Sequence, residues 1–588
     1  IMKLNLKTCS LIATCAVLSI KSVCAVELIP ETEDAYNERM QWFTDAQFGL
    51  FIHYGVYSTL GGEWKGKPVP KYAEWIQRWA KITPEEYIPL AADFKPEKLD
   101  ADFWVKTAIE AGMKYMVITS KHHEGFCLWD SAYTEYDLGE ATTFDRDILG
   151  ELKAACDQYG LKFGLYYSLT DWHHPSQRVS IVGGMQTPMN DKEGYVTYMK
   201  GQLKELIDRY DPAILWFDGD WANWWSLEDG KDLYNYLREL SPELIINNRV
   251  AKRNRFKKDF GTPENQTPKM ALDHVWEACW TVNHSWGYKK SDTRWKRIDE
   301  LVQKQIDINT KGGNLLLNVG PYADGSWPQG STDLLLQMGA WNKAHSDAVY
   351  GAEYIKMKSP AWGALAQSKA SSPAVGELFA YVFNWPKDGE LTLRGFSADE
   401  VKVTTYEGVT LPSTLSGAGL AIDLSPAKPT PHATVLRIAY RGLQKSKSGK
   451  VVSLKLSGNE LYLDAPDAKL SGKVNLLQSH TYIGYWTDPS DTATWTVDVP
   501  APGKYAVKFL YSCPKAYAGS DVKLTISGQS MTAKVPASKG GWEDFELLDL
   551  GLIELNQVGT TECTIGFGQK KGKALLNLKA VVFIPIDE

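Results

Sequence analysis

The 588-residue chain is too long for a single hydrophobic core, and roughly two to four domains are expected. An apolar fraction of 44% with 23% charged residues excludes the disordered and fibrous classes. A net charge of −7 with both signs interspersed leaves no basic footprint for nucleic acid.

Taken in order, the chain opens with lysines at 3 and 7, an apolar run over 11–20 and the small-residue stretch Val23-Cys24-Ala25. This is the pattern of a bacterial-style secretion leader over 1–25, and it predicts a secreted or periplasmic protein. The apolar run falls well short of the roughly 20 residues that a membrane span needs, and no other span is expected. Cys24 also admits lipoprotein anchoring, which the residues before it do not favour. Beyond the leader five cysteines remain (Cys127, Cys156, Cys279, Cys513 and Cys563), none with metal-ligand spacing. The odd number leaves at least one unpaired, and an oxidising compartment permits a Cys513–Cys563 bridge.

A helix over 35–43 precedes an apolar strand over 48–52 that delivers His53, followed by an aromatic loop carrying Trp64, Glu74, Trp75 and Trp79. A helix over 102–111 leads to a strand over 115–121 and then His122-His123-Glu124. The pattern repeats with a helix over 146–159 and a strand over 163–168 containing Tyr166. A helix over 195–210 comes next, then the strand Ala213-Ile-Leu-Trp-Phe-Asp218. Further along are a helix over 233–240, strands over 244–249 and 274–279, a helix over 297–309, a strand over 314–319 and a helix over 332–344. Strands that are apolar throughout and alternate with helices predict a parallel sheet covered on both faces. About seven such units over roughly 320 residues predict a (β/α)8-like TIM barrel. The alternative, an open doubly wound sheet, lacks a glycine-rich dinucleotide fingerprint after any strand.

From about residue 359 the texture changes to short β segments over 377–383, 390–394, 401–405 and 434–438, which predict an antiparallel sandwich. A polar linker over 444–450 separates it from a second all-β unit with strands over 493–499, 503–509 and 521–526. The expected organisation is a leader over 1–25, a catalytic barrel over 26–352 and β-sandwiches over 353–441 and 442–588.

Polar residues gather at the strand ends. His53, His122, His123, Asp218, Arg249 and Glu277 each close, or directly follow, a predicted strand, with Tyr166 near the end of its own. Barrel enzymes build their sites at that rim. Asp218-Gly219 taken alone reads as a turn, and Glu277 beside Arg249 as a buried salt bridge. Together, two carboxylates on different strands are the minimum for glycoside hydrolysis: Asp218 suits an ionised nucleophile, and Glu277 on an apolar strand suits a general acid of raised pKa. The 22 tryptophans and 29 tyrosines provide rings for stacking on sugars. A metal site built from His122, His123, Asp218 and Asp220 is the rival chemistry. Adjacent strand histidines point to opposite faces and HExxH is absent, so no metal or other cofactor is expected.

Six blocks carry a resemblance: Phe48-Gly-Leu-Phe-Ile-His53, Ser120-Lys-His-His-Glu-Gly-Phe126, Gly164-Leu-Tyr-Tyr-Ser168, Leu215-Trp-Phe-Asp-Gly219, Trp276-Glu277 with Ser285-Trp-Gly-Tyr288, and Gly312-Gly-Asn-Leu-Leu-Leu-Asn-Val-Gly-Pro321. In this order they resemble glycoside hydrolase family 29, the α-L-fucosidases, over about residues 30–440. The resemblance implies a retaining, exo-acting enzyme on fucosylated oligosaccharides or glycoconjugates, with Asp218 as nucleophile. It also implies a fucose pocket lined by His53, Glu74, Trp75, His122, His123, Tyr166, Trp216 and Arg249, with Trp286 beside them. The acid/base varies between subgroups of that family; Glu277 is the first choice and Glu264 the competitor. A fucose-binding lectin without turnover, and a barrel glycosidase for a fucose-like sugar, are the other functions the pattern allows. The last unit lies outside the resemblance. Its Thr494–Tyr505 stretch looks like those of carbohydrate-binding modules, some of which hold calcium, but a purely structural sandwich fits as well.

Overall fold

Seven short strands form one parallel sheet: β1 (Phe48–Ile52), β2 (Tyr115–Lys121), β3 (Lys162–Ser168), β4 (Ile214–Asp218), β5 (Ile245–Ile246), β6 (Trp276–Thr281) and β7 (Gly313–Val319). Their order is β5-β4-β3-β2-β1-β7-β6. The structure, a computed structural model, describes residues 26–586, apart from 178–188, 269–270, 273, 356, 358–359, 373, 395, 417–418, 443–460, 478–481, 500–501, 543 and 558. The predicted leader over 1–25 and linker over 444–450 lie outside the described residues.

The sheet closes through residues 260–264. Asn248 N donates to Phe260 O at 2.9 Å on one side, while Gly261 N donates to Val275 O and Glu277 N to Gly261 O, both at 2.9 Å, on the other. Parallel bridges pair Asn247 with Phe260, Gly261 with Trp276 and Glu264 with Cys279. This eighth stave is too irregular for a strand signal, yet it turns the sheet into a barrel. Helices Glu33–Ala46, Ala101–Glu110, Ile148–Tyr159, Lys192–Tyr210, Leu227–Leu240, Ile298–Asn309 and Gln329–Ala344 accompany it. Polar caps set several starts: Asp100, Asp147 and Asp191 accept from the third residue of their helices, and Ser226 with Asp229 forms a capping box. The capping box explains why the helix expected over 233–240 begins at Leu227.

Alternation along each strand divides the core in two. Phe51, Val117, Tyr166, Ile214, Trp216, Ile245 and Leu316 fill the barrel. Leu50, Ile52, Met116, Ile118, Leu165, Leu215, Phe217, Leu315 and Leu317 pack outward, in one cluster with helix residues such as Trp104, Leu152, Leu203 and Leu237. Neither face is wet, so the strands carry no polar alternation.

Beyond the barrel every strand pairing among the described residues is antiparallel. A six-stranded sheet from Ala352–Glu353 to Thr434–Arg441 lies with a three-stranded sheet (Glu390–Arg394, Ser413–Ser416, Gly419–Asp423), and Leu378, Leu391, Leu420, Ile422 and Ile438 share their core. The last unit has sheets of six and five strands around Trp495, Val507, Phe509, Leu524, Ile565 and Phe583. The permitted Cys513–Cys563 bridge is not formed; both thiols are free and buried. They belong to different sheets, Cys563 opposite Trp495 in one and Cys513 just past Gly503–Ser512 in the other.

Candidate active site

The barrel interior is organised in levels, and its floor is acidic. Tyr115 opens β2 opposite Gly49, where a Cβ would stand 2.4 Å from the tyrosine ring, so bare backbone makes room for that ring. The Tyr115 hydroxyl donates to Glu277 Oε2, and Trp216 Nε1 donates to Glu277 Oε1 at 2.9 Å. Glu277 is fully buried, and burial pushes its carboxyl up to about 7, more than the two donors and nearby Arg249 pull it down. Its expected position needs correction. The apolar run suggested a strand over 274–279 ending near Glu277, but pairing with β7 carries β6 from Trp276 to Thr281. Glu277 is therefore the second residue of its strand and faces the floor, not the rim.

Aromatic faces rise from there. Trp216 stacks on Tyr166 (5.7 Å between centroids, 18°), Tyr166 stacks on His122 (5.4 Å, 14°), and Phe51 leans on Trp216 at 5.0 Å. The Arg249 guanidinium carbon lies 4.6 Å from the Trp216 ring centre.

At the rim Arg249, in a short turn after β5, is itself buried and holds two acids. Nη1 donates to Asp218 Oδ1 at 2.9 Å and Nη2 to Glu264 Oε2 at 3.0 Å, while Nε donates to Thr262 Oγ1 at 2.8 Å. Contacts on the two terminal nitrogens of one guanidinium keep these carboxylate oxygens no more than about 8 Å apart. Arg253 Nη2 adds a second cation on Asp218 Oδ1 at 3.1 Å, and Arg253 also engages both oxygens of Asp220. His123 Nε2 stands 3.6 Å from Asp218 Oδ2, its other ring nitrogen being 2.6 Å from Ser168 Oγ and 2.9 Å from Thr170 Oγ1. Burial alone would raise Asp218, but Arg249, His123 and Arg253 outweigh it and hold the carboxyl well below the usual range. Asp218 is thus an anion with Oδ1 anchored and Oδ2 turned to the pocket. Gly219 follows with φ +95°, so the turn reading of Asp-Gly and the rim reading of Asp218 hold together.

Loops complete the walls. His53 Nδ1 is 2.6 Å from Asn318 Oδ1, and its ring lies 5.2 Å from Trp286. Burial lowers His53 to about 3 and His122 well below its ordinary value, which keeps both imidazoles neutral. Glu74 is buried with Oε2 accepting from Gly287 N at 2.9 Å, and burial raises it to about 7. Trp75 meets His123 edge-on at 5.0 Å. The residues expected as catalytic or pocket-lining, Glu277 included, therefore lie in this connected cluster. Sequence reasoning missed Arg253, Ser168, Thr170, Asn318 and Trp172, whose ring lies 5.4 Å from that of His123. Of these only Ser168 and Asn318 sit in quoted strand blocks; the others occupy loops without periodicity.

Among the described residues, the buried atoms of this cluster without a hydrogen-bond partner include Glu74 Oε1, His122 Nδ1, His123 Nε2 and Tyr166 Oη. A carboxylate acceptor, imidazole nitrogens able to accept or donate, and a phenol suit the hydroxyls of a small polyol, each of which both donates and accepts.

A sequence profile described as Alpha-L-fucosidase matches residues 21–347. The human plasma alpha-L-fucosidase is 31% identical over 382 residues, covering 60% of this chain and 78% of that protein. A crystal structure of an alpha-L-fucosidase (GH29) from Bacteroides thetaiotaomicron, a covalent intermediate trapped with 2-fluoro-fucosyl fluoride in a glutamate-to-glutamine variant, is 30% identical. It superposes with a TM-score of 0.61 and covers 70% of this chain and 97% of its own. An alpha-L-fucosidase structure from Vibrio sp. strain EJY3 reaches further, over 93% of this chain and 98% of its own at a TM-score of 0.67; at 23% identity this is a likeness of fold.

Proposed function

This chain belongs to the α-L-fucosidase family, glycoside hydrolase family 29, and from that premise we propose that it is an exported, exo-acting, retaining α-L-fucosidase. Its substrates are terminal α-L-fucosyl residues of oligosaccharides or glycoconjugates. One observation carries the reading: the buried Arg249 guanidinium grips Asp218 and Glu264 together, so two carboxylates from different staves face one rim. Their bound of about 8 Å admits the roughly 5–5.5 Å separation that a retaining mechanism needs.

Asp218 Oδ2 attacks the anomeric carbon, and the bond to the leaving oxygen breaks as Glu264 delivers its proton there. Water then attacks the β-fucosyl ester, losing a proton to the Glu264 carboxylate, and Asp218 departs with fucose in its original configuration. Glu264 takes the acid/base role because 37% of its side chain is open to the rim. Glu277, the first choice from sequence, has both oxygens bonded beneath Trp216 and no access to a glycosidic oxygen. We assign it to positioning: it fixes the Trp216 ring on which Arg249 lies. Glu74, His122, His123 and Tyr166 bind the sugar hydroxyls, with His53, Trp75, Trp216 and Trp286 forming the walls. The basic-then-apolar leader supports export.

The test is release of nitrophenol from 4-nitrophenyl α-L-fucoside, with the anomer of newly released fucose read by NMR. Turnover with release of α-fucose is expected. Well-folded protein inert toward aryl and natural fucosides would make it a lectin, and β-fucose as first product would make it an inverting enzyme.

A further inference from the structure

A second set of unpartnered atoms lies beside the pocket and has a different chemistry. Arg78, on the short helical turn Ile76–Trp79, is only 6% exposed, and neither Nη1 nor Nη2 has a hydrogen-bond partner among the described residues. Its guanidinium rests near two rings, 5.9 Å from the centre of Trp75 and 5.7 Å from that of Trp172. Both rings border the pocket, at 5.0 and 5.4 Å from His123, which itself faces Asp218. The neighbouring orphans are donors as well: Trp172 Nε1, and Trp79 Nε1 on the ring stacked on Trp75 at 5.5 Å. Lys71 Nζ lies 4.1 Å from the centre of the Trp79 ring and adds a further cation. Burial lowers Arg78, and no acid contributes to its shift.

Ring faces stabilise a guanidinium from above but leave its in-plane N–H groups unsatisfied. A buried cation lacking both counter-ion and acceptor is costly unless a ligand supplies them. The hydroxyl-binding pocket mixes donors with acceptors, whereas the Arg78 guanidinium and the Trp172 and Trp79 indoles only donate, which selects an oxyanion over a neutral sugar. We propose that Arg78, with the Trp172 and Trp79 indole N–H groups, forms a subsite for an oxyanion on the glycan that carries the fucose. The anion is either the carboxylate of an acidic sugar or a sulfate ester. The inference rests on the fucosidase reading and names the substrate class of that site.

The experiment compares fucosylated lactose with the same trisaccharide bearing a sialic acid and with one bearing a sulfate ester. It reads kcat/KM for each, and tryptophan fluorescence titration of the same three glycans as a signal that needs no turnover. At least one acidic glycan is expected to exceed the neutral one by about tenfold in either readout, the scale of a charge-assisted hydrogen bond. Which acidic arm wins tells carboxylate from sulfate. Arg78→Met is expected to bring the acidic-to-neutral ratio near one, and Arg78→Lys to keep part of it. Equal ratios in the unsubstituted protein, or a preference that survives Arg78→Met, overturn the proposal. Should Arg78→Met not fold, the unsubstituted ratios and Arg78→Lys decide alone. Acidic preference in fluorescence without turnover of any fucoside would refute the fucosidase reading and leave the subsite standing.

Discussion

Glu264 and Glu277 sit on neighbouring staves of one barrel, yet they meet opposite surroundings. Glu264 pairs through its backbone with Cys279, two residues beyond Glu277, so the glutamates differ by about 6–7 Å along the staves. That step separates a wet rim from a dry floor. At the rim Glu264 is 37% open and pairs with an arginine that also holds Asp218. At the floor Glu277 has no exposed surface, and both oxygens are consumed by neutral donors. The residue type is shared; access to a reacting oxygen is not. Proton transfer needs such access, whereas holding Trp216 flat under Arg249 needs its absence.

Asp218→Gly should break the rim most severely. Loss of the proposed nucleophile is expected to lower kcat by about ten-thousandfold, the scale of losing a covalent catalyst. Added azide should restore turnover and give β-fucosyl azide, identified by NMR. An α-azide would assign Asp218 the other role.

The two glutamates should part clearly in the next test. Glu264→Ala is expected to lower kcat by about 100- to 1,000-fold on natural glycans, far less on nitrophenyl fucoside, with azide yielding the α-azide. Glu277→Gln should stay within about tenfold and yield no azide adduct, because an amide can still accept from one partner and donate to the other. If azide rescues Glu277→Ala and not Glu264→Ala, the rim and floor assignments exchange.

Stability reverses the order of the pair. Glu277→Ala leaves the Tyr115 hydroxyl and Trp216 indole unpaired in a dry interior, expected to cost about 2–5 kcal/mol by denaturant unfolding; Glu264→Ala should cost under about 1 kcal/mol. The pH dependence follows from the burial of Glu277, raised from 4.5 to about 7. The folded state keeps a proton that the unfolded chain releases, so this contribution is full below about pH 4.5 and is lost as pH rises through about 7. It amounts to about 3 kcal/mol. Glu74 and Glu124, raised by burial to about 7 and 8, act in the same direction. The melting temperature should fall between pH 5 and 8, and fall less in Glu277→Gln. His53 and His122, kept neutral by burial, act the other way below their ordinary value of 6.5. A Glu277→Gln profile that falls as steeply as that of the unsubstituted protein would therefore contradict the dry floor.

The same contrast explains what could be read in advance. Asp218, His53, His122 and His123 were legible because a polar residue ending an apolar strand has few places to be except the rim. Glu277 shared that signature, but where β6 stops depends on pairing with β7, a contact some 40 residues away in sequence that no local pattern encodes. Glu264 was harder still. Residues 260–264 have neither alternation nor an apolar run, and they become a stave only because β5 and β6 offer free edges on either side. Arg253 and Arg78 lie in segments whose course is set by packing. Their importance shows in contacts made, for Arg253, and in contacts missing, for Arg78.

Arg253→Gln should give the smallest effect and the most direct measure of how wet the rim is. Arg253 and Arg249 touch the same oxygen of Asp218 at nearly equal distances, 3.1 and 2.9 Å, but their side chains are 28% and 2% exposed. Solvent and salt reach the first and not the second, and at 1 M ionic strength the screening length shrinks to about 3 Å. Losing Arg253 should therefore cost only about three- to tenfold in kcat/KM. The acid limb of the pH profile should move upward, since one of the cations depressing Asp218 is gone. The deficit should shrink in 1 M salt, which already screens this contact in the unsubstituted protein. The stability deficit of Glu277→Ala, made of neutral hydrogen bonds in a dry floor, should not respond to salt at all. A salt-independent loss of a hundredfold or more in Arg253→Gln would mean that the rim is as sealed as the floor, and that Asp218 needs both cations to serve as a nucleophile.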